Sequence, residues 1–225
     1  MDIICVFVRR KWAVAQDIVG LELVADAHAK LPAFTPGAYI DVHIPLTNYA
    51  QSVVRQYSLC NGPTDTDAYV LGIKEDAQSR GGSASLHQDV LEGDKLFIGP
   101  PRNNFQLFDS SQKALLFAAG IGITPLLAMA QELAFQQRPF DLHYFARSTE
   151  SAAFQDRLRE MEHTGHVHYH YGLTPEATDR AVGYAVEAVS SNTHAYCCGP
   201  TAFMDVVVAH SRQWIHPQNI HLEYF

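Results

Sequence analysis

The sequence predicts a β plus α/β protein, in which an antiparallel six-stranded β-barrel precedes a doubly wound five-stranded parallel α/β domain. In the first hundred residues, short segments rich in β-branched and aromatic residues alternate with Gly, Pro and Asn turns. From about Lys113, apolar strands alternate with helices, a pattern typical of a parallel sheet covered on both faces. The pattern changes near Asn103–Gln112, so we predict domains over residues 1–104 and 105–225.

Regular turns between short strands are typical of a small antiparallel barrel. Five of its strands can be placed directly, at Ile3–Val8, Tyr39–Ile44, Val53–Cys60, Tyr69–Lys74 and Lys95–Ile98. A short helix over Ser83–Val90 interrupts them, directly after two glycines.

The second half is predicted as five strands joined by helices. The strands are expected at Ala114–Ala119, Asp141–Ala146, His166–Tyr171, Ala195–Cys197 and Ile220–Glu223. The helices are expected at Pro125–Gln136, Ala152–Glu162, Asp179–Val189 and Ala202–Trp214. We expect ligands at the carboxyl ends of these strands, where open α/β sheets bind them.

Composition excludes several classes of protein. The chain has 225 residues, 47% of them hydrophobic, which suffices for a packed core. A net charge of −8 without a basic stripe argues against a nucleic-acid or anionic-membrane surface. The apolar run Ala114–Ala130 contains two glycines and a proline and is shorter than a membrane span of about 20 residues.

Neither the N-terminus nor the cysteines indicate secretion. The apolar run Ile3–Val8 precedes the basic cluster Arg9–Lys11, whereas a secretory signal has the reverse order. The four cysteines have no zinc-type spacing and form no obvious disulfide framework. We therefore predict a cytoplasmic protein.

Two barrel segments together predict a phosphate site. In Arg55-Gln56-Tyr57-Ser58-Leu59, strand alternation places Arg55, Tyr57 and Leu59 on one face and Ser58 on the other. A guanidinium offers a planar fork of donors to a phosphate, and a tyrosine offers a flat face to an aromatic ring system. The loop Ser79–Ser85 contains Gly81-Gly82 before a helix, where Ser83 could cap and free N–H groups favour an anion.

Two further segments predict a dinucleotide path in the second half. In Ala118–Pro125, Gly120 and Gly122 allow close approach of a ligand to the backbone, Thr124 can cap the following helix, and Pro125 suits its first turn. This is not the G-x-G-x-x-G fingerprint, because Pro125 replaces the third glycine. At Cys197–Pro200, a small side chain after a strand can lie against a nicotinamide ring without blocking it.

In this order, these motifs resemble the ferredoxin–NADP reductase superfamily. The motifs are Arg55-x-Tyr57-Ser58, Gly81-Gly82-Ser83, Gly120-x-Gly122-x-Thr124-Pro125, Cys198-Gly199-Pro200 and Glu223-Tyr224-Phe225. Within it, the whole chain is similar to the reductase components of Rieske-type oxygenases, the phthalate dioxygenase reductase group that includes the vanillate and carnitine monooxygenase reductases. The resemblance implies an NADH-dependent flavoprotein that delivers single electrons to a [2Fe–2S] centre.

The resemblance also implies residue roles. Flavin contacts would come from Arg55, Gln56, Tyr57, Ser58, Ile73, Lys74, Arg80, Gly81, Gly82, Ser83, Thr124 and Phe225, the last stacked on the ring. NADH contacts would come from Gly120, Gly122, Thr124, Arg147, Cys198, Gly199 and Pro200. Ser58, Cys198 and Glu223 would lie at the reacting atoms. One compact phosphate site favours FMN over FAD, and the absence of a basic cluster around Arg147–Glu150 or His170–Thr174 favours NADH over NADPH.

No metal site is predicted within this sequence. His166, His168 and His170 share a strand face near His163, but no carboxylate or cysteine is placed to complete a metal site. We therefore interpret these histidines as a polar strand face near the nucleotide pocket. The family's plant-type [2Fe–2S] domain would follow Phe225 with C-x₄-C-x₂-C…C spacing, and this sequence has no such run. We expect either a truncated chain, the interpretation favoured here, or a separate ferredoxin.

The expected partners are NADH, a [2Fe–2S] domain or ferredoxin, and a terminal Rieske-type oxygenase. Two other functions stay open. One is a stand-alone flavin, ferric or ferredoxin reductase, and the other is a flavin-binding electron-transfer or sensor subunit that never accepts hydride.

Overall fold

The structure, a computed structural model, describes residues 3–26, 29–45, 52–62, 65, 67–76, 81–109, 113–190 and 192–225. Its first half is a six-stranded antiparallel sheet in the order β4-β3-β6-β1-β2-β5. The strands are β1 Ile4–Ala15, β2 Ile18–Ala25, β3 Tyr39–Pro45, β4 Ser52–Ser58, β5 Tyr69–Lys74 and β6 Lys95–Ile98. A bridge between Leu59 and Leu71 joins the two edges, which closes the barrel. The helix α1, Gly82–Gln88, lies between β5 and β6.

The barrel's longest hairpin differs from the sequence prediction. β1 continues to Ala15 instead of ending at Val8, and β2, which was not placed, pairs with it. Two of the three basic residues that interrupted the apolar pattern bind residues of other barrel elements. Arg9 forms a bidentate pair with Glu22 at 2.9 Å, and Lys11 donates to carbonyl groups at the end of α1. The groups that bind these charged side chains are distant in sequence. The local sequence pattern therefore predicted a strand end that is too early.

The second half is the predicted five-stranded parallel sheet, in the order β11-β10-β7-β8-β9. Its strands are β7 Ala114–Ala119, β8 Phe140–Ala146, β9 His166–Tyr171, β10 His194–Cys198 and β11 Ile220–Glu223. Its helices are α2 Ile123–Phe135, α3 Gln155–Arg159, α4 Pro175–Val186 and α5 Thr201–Ser211. The predicted fold class is thereby confirmed, whereas the domain limits 1–104 and 105–225 stay a prediction.

Several predicted helix ends were wrong. α4 begins at Pro175 rather than Asp179, because Thr174 caps it by accepting a hydrogen bond from the Ala177 amide at 3.2 Å. α3 spans only Gln155–Arg159, since Phe154 before it has a left-handed backbone (φ +58°). The other ends shift by a few residues, the usual error of sequence-based boundaries.

The barrel and the parallel sheet share one apolar core. Ile18, Cys60 and Val70 of the barrel are buried in the same cluster as the residues of β7 and α2. The side-chain amide of Gln131 on α2 donates to the Cys60 carbonyl at 2.7 Å. This largely apolar contact packs the two halves against each other, and cavities lie along its margin. No helix among the described residues is long and apolar enough to cross a membrane.

Candidate active site

Two cavities lie where the barrel meets the parallel sheet. The smaller has a volume of about 420 Å³ and the larger about 680 Å³. Lys74 at the end of β5 and Ile121 in the β7–α2 turn line both of them. The two cavities therefore adjoin at these two residues.

The smaller cavity is built from β4, the end of β5, the start of α2 and the C-terminal residues. It is lined by Tyr39, Val54, Arg55, Gln56, Tyr57, Ser58, Gly72, Lys74, Ile121, Thr124, Glu223, Tyr224 and Phe225. Of the predicted flavin contacts, Arg55, Gln56, Tyr57, Ser58, Lys74, Thr124 and Phe225 are in this set. The lining residues that sequence analysis missed are Tyr39, Val54, Gly72, Ile121 and Tyr224. The signal available for Tyr224 was its position next to Phe225.

Arg55 supplies the positive charge at one end of this cavity. Its side chain crosses the start of α1, because a Cβ built on Gly82 would lie 3.3 Å from the Arg55 Cγ and Nε atoms. Gly81 has φ of +109°, and the Ser83 hydroxyl, rather than capping α1, accepts a hydrogen bond from the Asp76 amide. Arg80 lies outside the described residues. Arg55 and the glycine pair are therefore neighbours in space, as the sequence predicted.

Three polar residues of the smaller cavity are partly or fully buried. Ser58 is buried, and burial raises the pKa of Tyr57 to about 12. Burial also raises the pKa of the Glu223 carboxyl above its ordinary value. Glu223 thus holds its proton at a higher pH than an exposed glutamate would.

Ile73 and Cys198 lie behind the cavity walls. The Ile73 side chain is buried in the barrel core, and its carbonyl oxygen lies 2.9 Å from Nε2 of His87. Cys198 is fully buried opposite Glu223 in the β10–β11 register, and burial raises the pKa of its thiol. The thiol lines neither cavity in this conformation, so its contact with a nicotinamide ring stays a prediction.

The larger cavity brings together the loops after β7, β8, β9 and β10, as expected for the carboxyl edge of a parallel sheet. Of the predicted nucleotide contacts, Gly120, Arg147 and Pro200 line it. Its other walls come largely from residues that sequence analysis missed, among them Gln16, Asp17, Ser148, Ser151, Leu173, Thr178 and Phe203.

The glycines of the β7–α2 turn have different structural roles. Gly120 has φ of +55°, and a Cβ there would meet no atom within 4 Å, so this position opens onto the cavity. A Cβ on Gly122 would overlap the Cys198 carbonyl, and one on Gly199 would lie 2.8 Å from the Ala119 Cβ, so both permit close packing. The capping role predicted for Thr124 was wrong, because α2 begins at Ile123 and the Thr124 hydroxyl donates to the Ile121 carbonyl at 3.0 Å.

The predicted histidine face forms a stack of rings beside the larger cavity. His143 on β8 stacks on His168 with centroids 4.5 Å apart, and its Nδ1 lies 3.2 Å from Nε2 of His170, which lines the cavity. No cluster of three or more potential ligands placed to hold a metal occurs in the part of the chain that the structure describes. Burial and the neighbouring His168 and His170 lower the pKa of His143 to about 3.

The lowered pKa of the buried His143 predicts that the protein is less stable in acid. Because its pKa falls from an unfolded value of about 6.5 to about 3, the unfolded chain binds more protons between these pH values. The free energy of unfolding should therefore fall as pH decreases from about 6.5, with this group contributing up to about 1.4 kcal/mol per pH unit. His143→Phe keeps an aromatic ring in the stack and should flatten that dependence in urea titrations at pH 7 and 5. A His163→Gln variant at an exposed position is the control; an equal slope in both variants would contradict the assignment.

Comparisons with known proteins agree with this architecture. The family model described as the oxidoreductase NAD-binding domain matches residues 116–209. A vanillate O-demethylase oxidoreductase from Pseudomonas sp. strain HR199 is 41% identical, over 94% of this chain and 66% of its own length. A phthalate 4,5-dioxygenase reductase subunit from Pseudomonas putida is 38% identical, over 96% of this chain and 65% of its own. The chain thus spans about two thirds of the length of these relatives.

A solved structure extends the similarity to nearly every residue. Phthalate dioxygenase reductase, described as a modular structure for electron transfer from pyridine nucleotides to [2Fe–2S], superimposes with a TM-score of 0.89 at 36% identity. The match covers 99% of this chain and 68% of that protein. The resemblance predicted from the motifs is therefore confirmed: the chain belongs to the phthalate dioxygenase reductase group of the ferredoxin-reductase-like proteins.

Proposed function

We propose that this chain is an NADH-dependent flavin oxidoreductase module that takes hydride from NADH onto FMN and passes single electrons to a [2Fe–2S] centre serving a Rieske-type oxygenase. The observation that carries the proposal is the pair of adjoining cavities that share Lys74 and Ile121 as walls. A reaction between two bound cofactors requires their reactive atoms about 3–3.5 Å apart with water excluded. Two cavities that share a wall can hold the two reactive atoms at this distance.

The smaller cavity fits a flavin mononucleotide. Its volume of about 420 Å³ lies within the range of about 300–1,000 Å³ common for small-molecule sites. The guanidinium of Arg55 suits a phosphate, and Tyr57 and Phe225 offer flat faces to a ring system. Among the described residues of this cavity, Arg55 next to Gly81-Gly82 is the one group that we assign to a phosphate, which favours FMN over FAD.

The larger cavity suits a nicotinamide dinucleotide. Its basic residues are Lys74 next to the flavin cavity and Arg147 after β8, and Arg147 can meet a pyrophosphate. The 2′-phosphate of NADPH would need further positive charge. Besides Lys74 and Arg147, His170 is the one basic residue type among the described lining residues. We therefore propose NADH as the physiological donor.

The chain's own residues orient the reactants and control protons. A bound flavin supplies the conversion of a two-electron donor into single-electron transfers. Ser58 can donate a hydrogen bond from its buried position, and Glu223 can hold a proton because burial raises its pKa. Phe225 is 67% exposed at the mouth of the cavity, where it can cover a ring and exclude water.

Rapid mixing of the flavin-loaded protein with NADH tests the proposal. Flavin absorbance should bleach on NADH addition and recover when a [2Fe–2S] ferredoxin or its Rieske-type oxygenase is supplied. Recovery with free flavin or ferric chelates alone would favour a stand-alone reductase. An unchanged spectrum with NADH would contradict reductase function and favour a sensor. A cytoplasmic location remains part of this proposal.

A further inference from the structure

The tip of the β1–β2 hairpin reaches from the barrel into the larger cavity. Gln16 and Asp17 form a two-residue turn between Ala15 and Ile18, which pair with each other. Both turn residues line the larger cavity. The barrel therefore supplies part of a wall that faces the nucleotide loops of the parallel sheet.

The backbone of this turn is held on two sides. The Gln16 amide donates to the Glu150 carbonyl in the loop after β8, and the Asp17 carbonyl accepts from the Glu75 amide after β5, each at 2.8 Å. Ile18, the next residue, is buried in the shared apolar core. The tip thus has a fixed position, although neither turn side chain takes part in fixing it.

The Asp17 side chain is available to a ligand. It is exposed, and it has no hydrogen-bond or ion-pair partner among the residues that the structure describes. Its backbone has φ of +58°, a left-handed conformation that aspartate and asparagine tolerate better than most residues. Within the described lining of the larger cavity, Asp17 carries the single carboxylate, and Lys74 and Arg147 carry the positive charges.

We propose that the Asp17 carboxylate binds the ribose hydroxyls of the nicotinamide half of the dinucleotide, an inference that rests on the proposed function. A carboxylate has two acceptor oxygens for two neighbouring hydroxyl groups, and it repels phosphates. Ile18 pairs with Lys74, which lines both cavities, so Asp17 lies at the end of the cavity next to the flavin site. The ribose nearest that end is the one attached to the nicotinamide.

The test is Asp17→Asn, which removes the charge and keeps a residue that tolerates positive φ. The KM for NADH and the Kd for NAD⁺ measured by calorimetry should both rise about tenfold, the effect of losing one charge-assisted hydrogen bond. The Kd for ADP, which lacks the nicotinamide ribose, should stay the same, as should the Kd for FMN. Asp67→Asn makes the same charge change at an exposed residue that lines neither cavity.

Each alternative outcome has a separate meaning. An unchanged Kd for NAD⁺ in Asp17→Asn, with normal binding by the wild type, would overturn this inference and leave the proposed function intact. Equal weakening of ADP and NAD⁺ would overturn it as well, because the carboxylate would then act on the adenosine half or on the fold. A wild-type protein that binds neither NAD⁺ nor ADP would overturn the proposed function and this inference with it.

Discussion

Replacing Gly122 by alanine should lower the free energy of unfolding by about 3 kcal/mol, the upper end of the usual cost of overpacking. The added Cβ would overlap the carbonyl oxygen of Cys198, far inside the 3.0 Å that real Cβ atoms keep from other atoms. That oxygen belongs to the backbone of β10, which is paired on both sides by β7 and β11, so it cannot turn away. The start of α2 would have to move off the sheet, and Ile121 and Thr124 would move with it out of the cavity walls.

Gly120→Ala is the matched control for this substitution. Its Cβ would meet no atom within 4 Å, so its cost is that of placing an L-residue at φ of +55°. That cost is about 1–2 kcal/mol. Urea unfolding of the three proteins should rank wild type above Gly120→Ala and Gly120→Ala above Gly122→Ala. If the two variants were equally stable, backbone conformation and not the contact with β10 would govern the whole turn.

The two glycines show how far sequence reasoning reaches in this site. The motif Gly120-x-Gly122 predicted a strand-to-helix turn where a dinucleotide approaches the backbone, and the structure has a turn at these residues. The sequence could not indicate that a neighbouring strand also lies against Gly122. The order of the strands brings Cys198 to that glycine, and strand order is a property of the whole sheet.

Apolar strands were the most predictable elements. Ala114–Ala119 was placed correctly because it is buried on both faces, and such a strand carries an uninterrupted apolar run. β1 was ended too early at three consecutive basic residues, of which Arg9 binds Glu22 and Lys11 binds carbonyl groups at α1, and its partner β2 was not placed. Missing β2 also concealed its turn, so Gln16 and Asp17 could not be assigned to the nucleotide cavity.

The surroundings of single strand residues were less predictable than the motifs that contain them. Cys198 was expected beside a nicotinamide ring, a contact that stays a prediction; its thiol lines neither cavity, and the residue pairs with Glu223 on the neighbouring strand. Ile73 was expected at the flavin, yet strand alternation directs its side chain into the barrel core. In both cases the residue is next to the site in sequence, and the face of its strand decides what it contacts.

Loss of the Arg55 side chain should have the largest effect on cofactor binding. In the proposed site its guanidinium makes charge-assisted bonds to the flavin phosphate, and such bonds contribute about 1.5–3 kcal/mol each. Loss of one such bond in Arg55→Ala should therefore raise the Kd for FMN by roughly 10- to 150-fold. Quenching of FMN fluorescence on titration with apoprotein measures this Kd. The KM for NADH in flavin-saturated protein should change little, because Arg55 lines only the smaller cavity.

Two further variants separate the geometry of the guanidinium from its charge. Arg55→Lys keeps the positive charge but loses the planar fork of donors, so it should recover only part of the lost affinity. Arg9→Ala removes an equal charge from an exposed pair with Glu22 and should leave FMN binding unchanged. If Arg55→Lys bound FMN as well as the wild type, Arg55 would contribute through its electrostatic field alone. If Arg55→Ala bound FMN normally, the phosphate would lie elsewhere, and the flavin could not be oriented by β4 and the start of α1 as proposed.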